Sequence, residues 1–177
     1  IDGTLIGDRG QVLAQSTKEA IDRAREKGHI CIVNTGRTWK AVGGWLPQQA
    51  EFDGYLLGCG TAARYRGEVL WHRTFSGEQG RRIVEALERY GMDALFEGDE
   101  ENHTRKLTEF HTEFFRRFME VRYRRECESW DEICGHFDKF LLYADEAGKV
   151  EGFRQEFAGE LSFIDRDGGL WEVMPAG

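Results

Sequence analysis

The fold is decided by two short stretches, IDGTL at residues 1–5 and IVNTGR at residues 32–37. The first places a carboxylate, Asp2, in a small glycine turn. The second is an apolar strand pattern that ends in a hydroxyl and a glycine, Thr35 and Gly36. Open α/β sheets bind their ligands at the carboxyl ends of such strands. Together the two stretches indicate phosphoryl-transfer chemistry.

Composition and charge indicate an ordered globular protein. The chain has 177 residues, 40% hydrophobic and 32% charged, enough for one substantial core or two small lobes. A net charge of −8 repels phosphate backbones and anionic lipids, so we expect neither a nucleic acid nor a membrane as partner. No apolar run approaches the roughly 18 residues of a membrane-spanning helix. Cysteines without a Cys-x-x-Cys pair favour reduced thiols and a cytoplasmic protein.

The first third of the chain is predicted to alternate strands and helices. The predicted elements are a hairpin at 5–13, a helix from a capping box at 16–19 to Lys27, a strand at 29–33, a helix at 38–46 and a strand at 52–57. Gly28 ends the first helix and Pro47 the second. This order predicts part of a doubly wound, parallel-sheet core.

The pattern changes near residue 63, where a mixed α/β region is predicted to begin. Residues 63–75 alternate with period two around Arg66 and Gly67, as a hairpin does. The further predicted elements are a helix from a capping box at 76–79 to Tyr90, a strand at 92–97, a helix at 104–119, a short helix from Ser129, a strand at 137–143, a helix at 146–157 and strands at 161–164 and 170–174.

Two segments have alternative interpretations. Residues 58–63, GCGTAA, imitate the Gly-x-Gly-x-x-Ala fingerprint of dinucleotide-binding modules, which must open a helix. The residues that follow alternate like a hairpin instead, and a strand pair there would exclude this alternative. The basic segment 116–125 is either a patch for RNA or phosphorylated substrates or an amphipathic face whose arginines meet solvent, and the second is favoured.

The motifs resemble those of haloacid dehalogenase (HAD) superfamily phosphatases. IDGTL resembles the tail of the Asp-x-Asp-Gly-Thr signature, and Thr35-Gly36-Arg37 resembles the second motif. The region after the third strand is similar to that of Cof-type, subfamily IIB members. The resemblance implies a partial Rossmann-like core at 1–62, a mixed α/β cap domain of the C2B type at 63–174 and the start of the return to the core at 175–177.

The resemblance also implies a role for each motif residue. Asp2 is expected to protonate the leaving oxygen, then activate water, and to be a Mg²⁺ ligand. Ile1, Thr35 and Gly36 are expected at the phosphate, and Arg37 at the substrate. The implied activity is Mg²⁺-dependent hydrolysis of small phosphorylated metabolites, such as sugar phosphates, through an aspartyl-phosphate. The oligomeric state is left open.

Some roles have a structural alternative. Thr35 could simply cap the helix predicted to start at Thr38, and Arg37 could pair with an acidic neighbour. The family's nucleophilic aspartate would stand just before Ile1, and its lysine and further metal carboxylates would follow Gly177. We therefore expect the 177-residue chain to be inactive as given, either as a truncated phosphatase or as a non-catalytic binding fragment on a HAD scaffold.

Overall fold

The fold is given by a computed structural model that describes residues 1, 3–6, 11–105, 125–127, 129–144 and 147–177. The chain divides into two compact units, Ile1–His72 and Arg73–Gly177. The expected core–cap boundary at residues 62 and 63 lies just inside a hairpin that belongs to the first unit. The identity of the two units as core and cap stays a prediction.

The first unit is built on a four-stranded mixed sheet. Its elements are helix α1 (Gln15–Glu26), strand β1 (Ile32–Asn34), helix α2 (Trp39–Val42), a 3₁₀ turn (Leu46–Gln48), strand β2 (Gly54–Leu57), a second 3₁₀ turn (Gly58–Gly60), and strands β3 (Ala62–Tyr65) and β4 (Glu68–His72). The strand order is β1-β2-β3-β4. The β1–β2 pair is parallel and the other pairs are antiparallel. The α/β class predicted from the sequence is confirmed.

The hairpin predicted around Arg66 and Gly67 is confirmed. Strands β3 and β4 flank these two residues, whose φ angles are +48° and +88°. Positive φ at both central positions gives a turn whose twist matches that of the flanking strands. Glycine adopts this conformation at little cost, which explains the signal in the sequence.

The capping box predicted at residues 16–19 is wrong, although the helix itself forms. Helix α1 begins at Gln15, its N-cap is Ala14, and no side chain caps it. Ser16 therefore lies inside the first turn instead of preceding it. The preceding hairpin prediction rests on residues 7–10, which lie outside the described residues.

The helix predicted at 38–46 is shorter in the structure. Helix α2 ends at Val42, and a separate 3₁₀ turn includes Pro47. Two glycines follow α2, and each costs a helix roughly 1 kcal/mol relative to alanine. The ring of Trp39 also occupies the space that a Cβ on Gly43 would need.

A small charged cluster fixes the end of α1 against the strands. The Asp53 carboxylate accepts from the backbone N–H of Cys31 at 2.8 Å and from Arg25 Nε at 3.4 Å. Arg25 also contacts Glu51, with 2.6 Å between Nη2 and Oε1. These bonds, first that from Cys31, hold the pKa of Asp53 below its ordinary value.

The second unit is built on a six-stranded mixed sheet. Its elements are helix α3 (Gly77–Tyr90), strands β5 (Asp93–Glu97), β6 (Asn102–Arg105) and β7 (Arg125–Cys127), a 3₁₀ turn (Trp130–Glu132), strand β8 (Lys139–Tyr143), helix α4 (Ala147–Glu156), and strands β9 (Leu161–Asp165) and β10 (Leu170–Pro175). The strand order is β7-β6-β5-β8-β10-β9. The β6–β7 pair is parallel and the others are antiparallel.

Helix α3 follows its sequence signals residue by residue. The Ser76 hydroxyl accepts from the backbone N–H of Gln79, and the Gln79 side chain accepts from the N–H of Ser76. The helix ends at Gly91, whose φ of +62° is left-handed. The predicted capping box and glycine stop are therefore confirmed.

Other predictions for this unit have mixed outcomes. The strands around β5, β8, β9 and β10 and helix α4 are confirmed, with ends that differ by a few residues. The short helix from Ser129 is a single 3₁₀ turn. Of the helix predicted at 104–119, residues 104 and 105 belong to β6, and the rest lies outside the described residues. Across the described ranges, no helix is both long and apolar enough to cross a bilayer.

The core of the second unit is largely aromatic. Phe137 is fully buried, and its ring centroid lies 4.9 Å from that of Phe75 and 4.8 Å from that of Phe96. Phe140 and Phe153 extend the cluster toward α4. Phe96 and Phe140 share one face of the sheet, and buried residues of α3 and α4 pack in the same cluster.

Candidate active site

The candidate site is the loop that follows β1, where Thr35 comes directly after the last strand residue. The backbone N–H of Thr35 donates to the carbonyl of Leu56 on β2 at 3.0 Å, so Thr35 lies at the carboxyl ends of the parallel pair. Its side chain is buried, and Oγ1 accepts from the backbone N–H of Arg37 at 3.1 Å. A hydroxyl whose oxygen accepts can still donate its own proton. Thr35 can therefore offer an O–H donor to an anionic ligand.

The helix after this loop offers less positive charge to an anionic ligand than the sequence indicated. Helix α2 has four residues, and the charge at a helix N-terminus depends on a longer run of aligned peptide units. The N-cap of α2 is Thr38, so the alternative that Thr35 caps this helix is wrong. Gly36 is half-buried between the two threonines. The loop itself, and not the helix, supplies the polar groups.

A second loop lies directly beside the first. The backbone N–H of Gly58 donates to the Arg37 carbonyl at 2.9 Å, and the N–H of Cys59 points to the Thr35 carbonyl at 3.5 Å. Gly58 and Cys59 both have a φ of +58°, which is unusual for cysteine. The two loops therefore form one rim at the ends of β1 and β2.

The dinucleotide-binding alternative is excluded by the same loop. After the 3₁₀ turn at Gly58–Gly60, the chain continues into strand β3, which pairs with both β2 and β4. A dinucleotide fingerprint has to open a helix that presents its amides to a pyrophosphate. Here the glycines make a strand-to-strand connection.

Sequence reasoning missed two threonines under this rim. Thr38 and Thr61 are 1% and 3% exposed, and neither Oγ1 has a hydrogen-bond partner in the part of the chain that the structure describes. A Cβ on Gly58 would collide with Thr61 Oγ1 and lie 3.6 Å from Thr38 Cγ2. The only signal in the sequence is the glycine pair after β2, because Thr38 and Thr61 are distant along the chain.

In the N-terminal turn, the structure describes Ile1 and residues 3–6, which flank Asp2 in the sequence. The Ile1 carbonyl accepts from the N–H groups of Thr4, Leu5 and Ile6 at 3.2, 2.8 and 3.2 Å. Ile1 packs against the first unit's core, and Gly3 has a φ of +68°. Asp2 lies outside the described residues, so its catalytic and metal-binding roles stay predictions, as does the role of Ile1 at the phosphate.

The remaining predicted residues belong to the rim. Gly36 and Arg37 are both half-buried and follow Thr35 directly. The main chain of Arg37 is held at both its N–H and its carbonyl by the bonds described above. The structure thus brings Thr35, Gly36 and Arg37 into one loop. Their binding of phosphate and substrate stays a prediction.

Comparison with known proteins identifies the class to which this fold and site belong. A family model described as haloacid dehalogenase-like hydrolase matches residues 1–177. The chain therefore belongs to the haloacid dehalogenase-like hydrolase family, as the motifs at its start indicated. No curated protein sequence matches the chain at a significant level.

Solved structures show the same fold at low sequence identity. A hypothetical protein from Geobacillus kaustophilus HTA426 is 22% identical, with a TM-score of 0.80, over 100% of this chain and 67% of that one. A HAD phosphatase from Bacteroides thetaiotaomicron is 18% identical, with a TM-score of 0.78, over 99% and 65%. A HAD subclass IIB sugar phosphatase is 19% identical, with a TM-score of 0.78, over 100% and 68%. The chain thus spans about two thirds of the length of these structures.

Proposed function

We propose that the whole protein is a Mg²⁺-dependent phosphatase that hydrolyses small phosphorylated metabolites, such as sugar phosphates. The proposal is supported by the family match and by one geometric observation. Thr35, with a hydroxyl proton available for donation, lies at the end of a parallel strand. Hydroxyl and backbone donors held at such a strand end are suited to bind a phosphoryl group.

The proposed chemistry has two steps, each with a place for Asp2. An aspartate directly before Ile1 attacks phosphorus, the bond to the leaving oxygen breaks, and Asp2 gives that oxygen its proton. Water then attacks the aspartyl-phosphate, Asp2 takes a proton from it, and phosphate leaves. Thr35 and the N–H of Gly36 hold the phosphoryl oxygens in both steps.

The residues of this rim are compatible with a magnesium ion. Mg²⁺ prefers oxygen ligands; in the sequence Asp2 offers both a carboxylate and a carbonyl oxygen, and the rim carries the Thr35 hydroxyl. When bound, Mg²⁺ would offset negative charge on the phosphoryl group. This local charge matters because the chain as a whole carries −8 and would repel an anionic substrate.

The test is phosphate release from p-nitrophenyl phosphate by the full-length gene product, with and without Mg²⁺. Asp2→Asn is expected to lower kcat by about 10²–10⁴-fold, the usual contribution of general acid–base catalysis. Thr35→Val keeps the shape of the side chain and removes its O–H, so about a tenfold or greater loss is expected. Thr17→Val on α1 is the matched control and should leave turnover unchanged.

Two results would contradict the proposal. Mg²⁺-dependent turnover that survives in Asp2→Asn would show that Asp2 is not the proton donor. Full-length protein that releases no phosphate from aryl or sugar phosphates, with Mg²⁺ present, would exclude the phosphatase function itself.

A further inference from the structure

Thr61 is a buried threonine under the rim whose hydroxyl makes no hydrogen bond among the described residues. The residue is 3% exposed, and its Oγ1 is one of the few buried side-chain oxygens in that state. A buried hydroxyl without a partner costs free energy, so its presence needs a physical reason. Ala62 and Ala63, which follow it, are equally buried and are apolar. Packing alone would favour an apolar side chain at position 61 as well.

The Thr61 hydroxyl lies against Gly58. A Cβ built on Gly58 would overlap Thr61 Oγ1, so this oxygen fills the place where a side chain would begin. The backbone N–H of Thr61 also donates to the Gly58 carbonyl at 3.3 Å. One residue thus holds Gly58 from two sides, in a left-handed conformation with a φ of +58° that glycine adopts at little cost.

From Gly58, two hydrogen bonds lead to the side chain of Thr35. The backbone N–H of Gly58 donates to the Arg37 carbonyl at 2.9 Å, and the N–H of Arg37 donates to Thr35 Oγ1 at 3.1 Å. The second bond occupies a lone pair of the Thr35 hydroxyl and so restricts the directions in which its proton can point. A displacement of Gly58 would therefore be transmitted through Arg37 to this donor.

We infer that Thr61 is a positioning residue: its hydroxyl fixes Gly58, and through Arg37 it fixes the orientation of the Thr35 donor. The consequence for catalysis rests on the proposed function, in which Thr35 holds the phosphoryl oxygens. Thr61 is itself covered and acts only through the main chain of the rim. Donors that stabilise a transition state must be held in place, and a misplacement of about 1 Å can lower a rate about 10²-fold.

The size of a hydroxyl explains why threonine suits this position. Alanine would leave a gap beside Gly58, and valine would place a methyl group, which is larger than the oxygen, against it. Serine keeps the oxygen and loses only the methyl group. Thr61→Ser and Thr61→Ala therefore differ by the one atom to which the inference assigns the effect.

The first test needs no substrate. In the full-length gene product, exchange of the Gly58 backbone amide in D₂O reports whether its bond to the Arg37 carbonyl opens. Thr61→Ala is expected to speed this exchange by about tenfold or more, whereas Thr61→Ser should stay within about twofold of wild type. The amide is followed in ¹H–¹⁵N spectra.

The second test measures the consequence for the active site. With p-nitrophenyl phosphate and Mg²⁺, Thr61→Ala is expected to lower kcat/KM about 10–100-fold, and Thr61→Ser should restore it to near the wild-type value. Leu13→Ala, which truncates another buried side chain of the first unit, is the matched control. It should lower the melting temperature at least as much as Thr61→Ala and keep wild-type kcat/KM well below that temperature.

Three results would overturn the inference. The first is an active wild-type protein whose kcat/KM is unchanged in Thr61→Ala. The second is an equal loss of kcat/KM in Thr61→Ala, Thr61→Ser and Leu13→Ala, which would show that any loss of packing in the first unit has this effect. The third is wild-type exchange of the Gly58 amide in Thr61→Ala.

Failure of the proposed function gives a different result. A wild-type protein that releases no phosphate would exclude that function, and the Gly58 exchange would then decide alone whether Thr61 holds the loop.

Discussion

The two units differ in how completely their helices and strands are buried. In the described part of the second unit, a six-stranded sheet and helices α3 and α4 pack around an aromatic cluster with several fully buried rings. In the first unit, α1 buries no residue completely, and every residue of β4 is exposed. The first unit nevertheless carries the candidate active-site loops. The comparison indicates that the second unit is the more stable one, whereas the first unit carries the loops that we propose to bind the ligand.

The largest expected effect on stability comes from truncating a ring of the aromatic cluster. Phe137→Ala removes a fully buried ring and should destabilise the second unit by about 3–5 kcal/mol. Phe52→Ala, the matched change in the first unit, removes a half-buried ring and should cost less. Hydrogen exchange reports each unit separately and measures both effects. Equal costs at the two sites would end the distinction between the units.

Local signals predicted the start of helix α3 better than the start of helix α1. Helix α3 carries both its start and its stop in neighbouring residues, Ser76 and Gly91, and it forms where the sequence placed it. The capping box predicted at Ser16 has the same pattern, with Glu19 at the third position after the serine, but the structure starts α1 before it. A serine caps a helix only where the preceding backbone turns away, and this depends on packing that the sequence does not display.

The candidate site was predictable in part for a similar reason. Thr35 was found because a strand pattern, a hydroxyl and a glycine follow one another along the chain. Thr61 was missed because it reaches the rim only through the pairing of β2 with β3. Glu97 and Lys139 were placed in strands, but charged residues are rarely fully buried, so nothing predicted their burial.

A smaller effect on stability is expected when the serines of the two predicted capping boxes are replaced and compared. Ser76→Ala removes a hydrogen bond to the start of α3 and should destabilise the second unit by about 1 kcal/mol. Ser16→Ala lies inside α1, where alanine is the better helix former, so its effect should be near zero or slightly stabilising. Urea unfolding of both variants measures the difference. A cost at Ser16 similar to that at Ser76 would show that the first box also forms.

The smallest effect concerns how each unit responds to acid. Burial lowers the pKa of His103 in the second unit below its ordinary value of 6.5, with Glu101 opposing this shift and Arg125 adding to it. The unfolded chain therefore binds a proton that folded His103 refuses, so stability falls as the pH drops below about 6.5 and levels off below the folded pKa. Asp53 in the first unit has a lowered pKa, so its stabilising contribution is complete above 3.8 and is lost only at lower pH. The second unit should thus be the first to lose stability on mild acidification, although it is the better packed.

Melting temperatures between about pH 7.5 and 5 measure how stability changes with pH. His103→Gln should flatten the slope and the exposed His136→Gln should keep it, so an unchanged slope in His103→Gln would assign the acid response to another group.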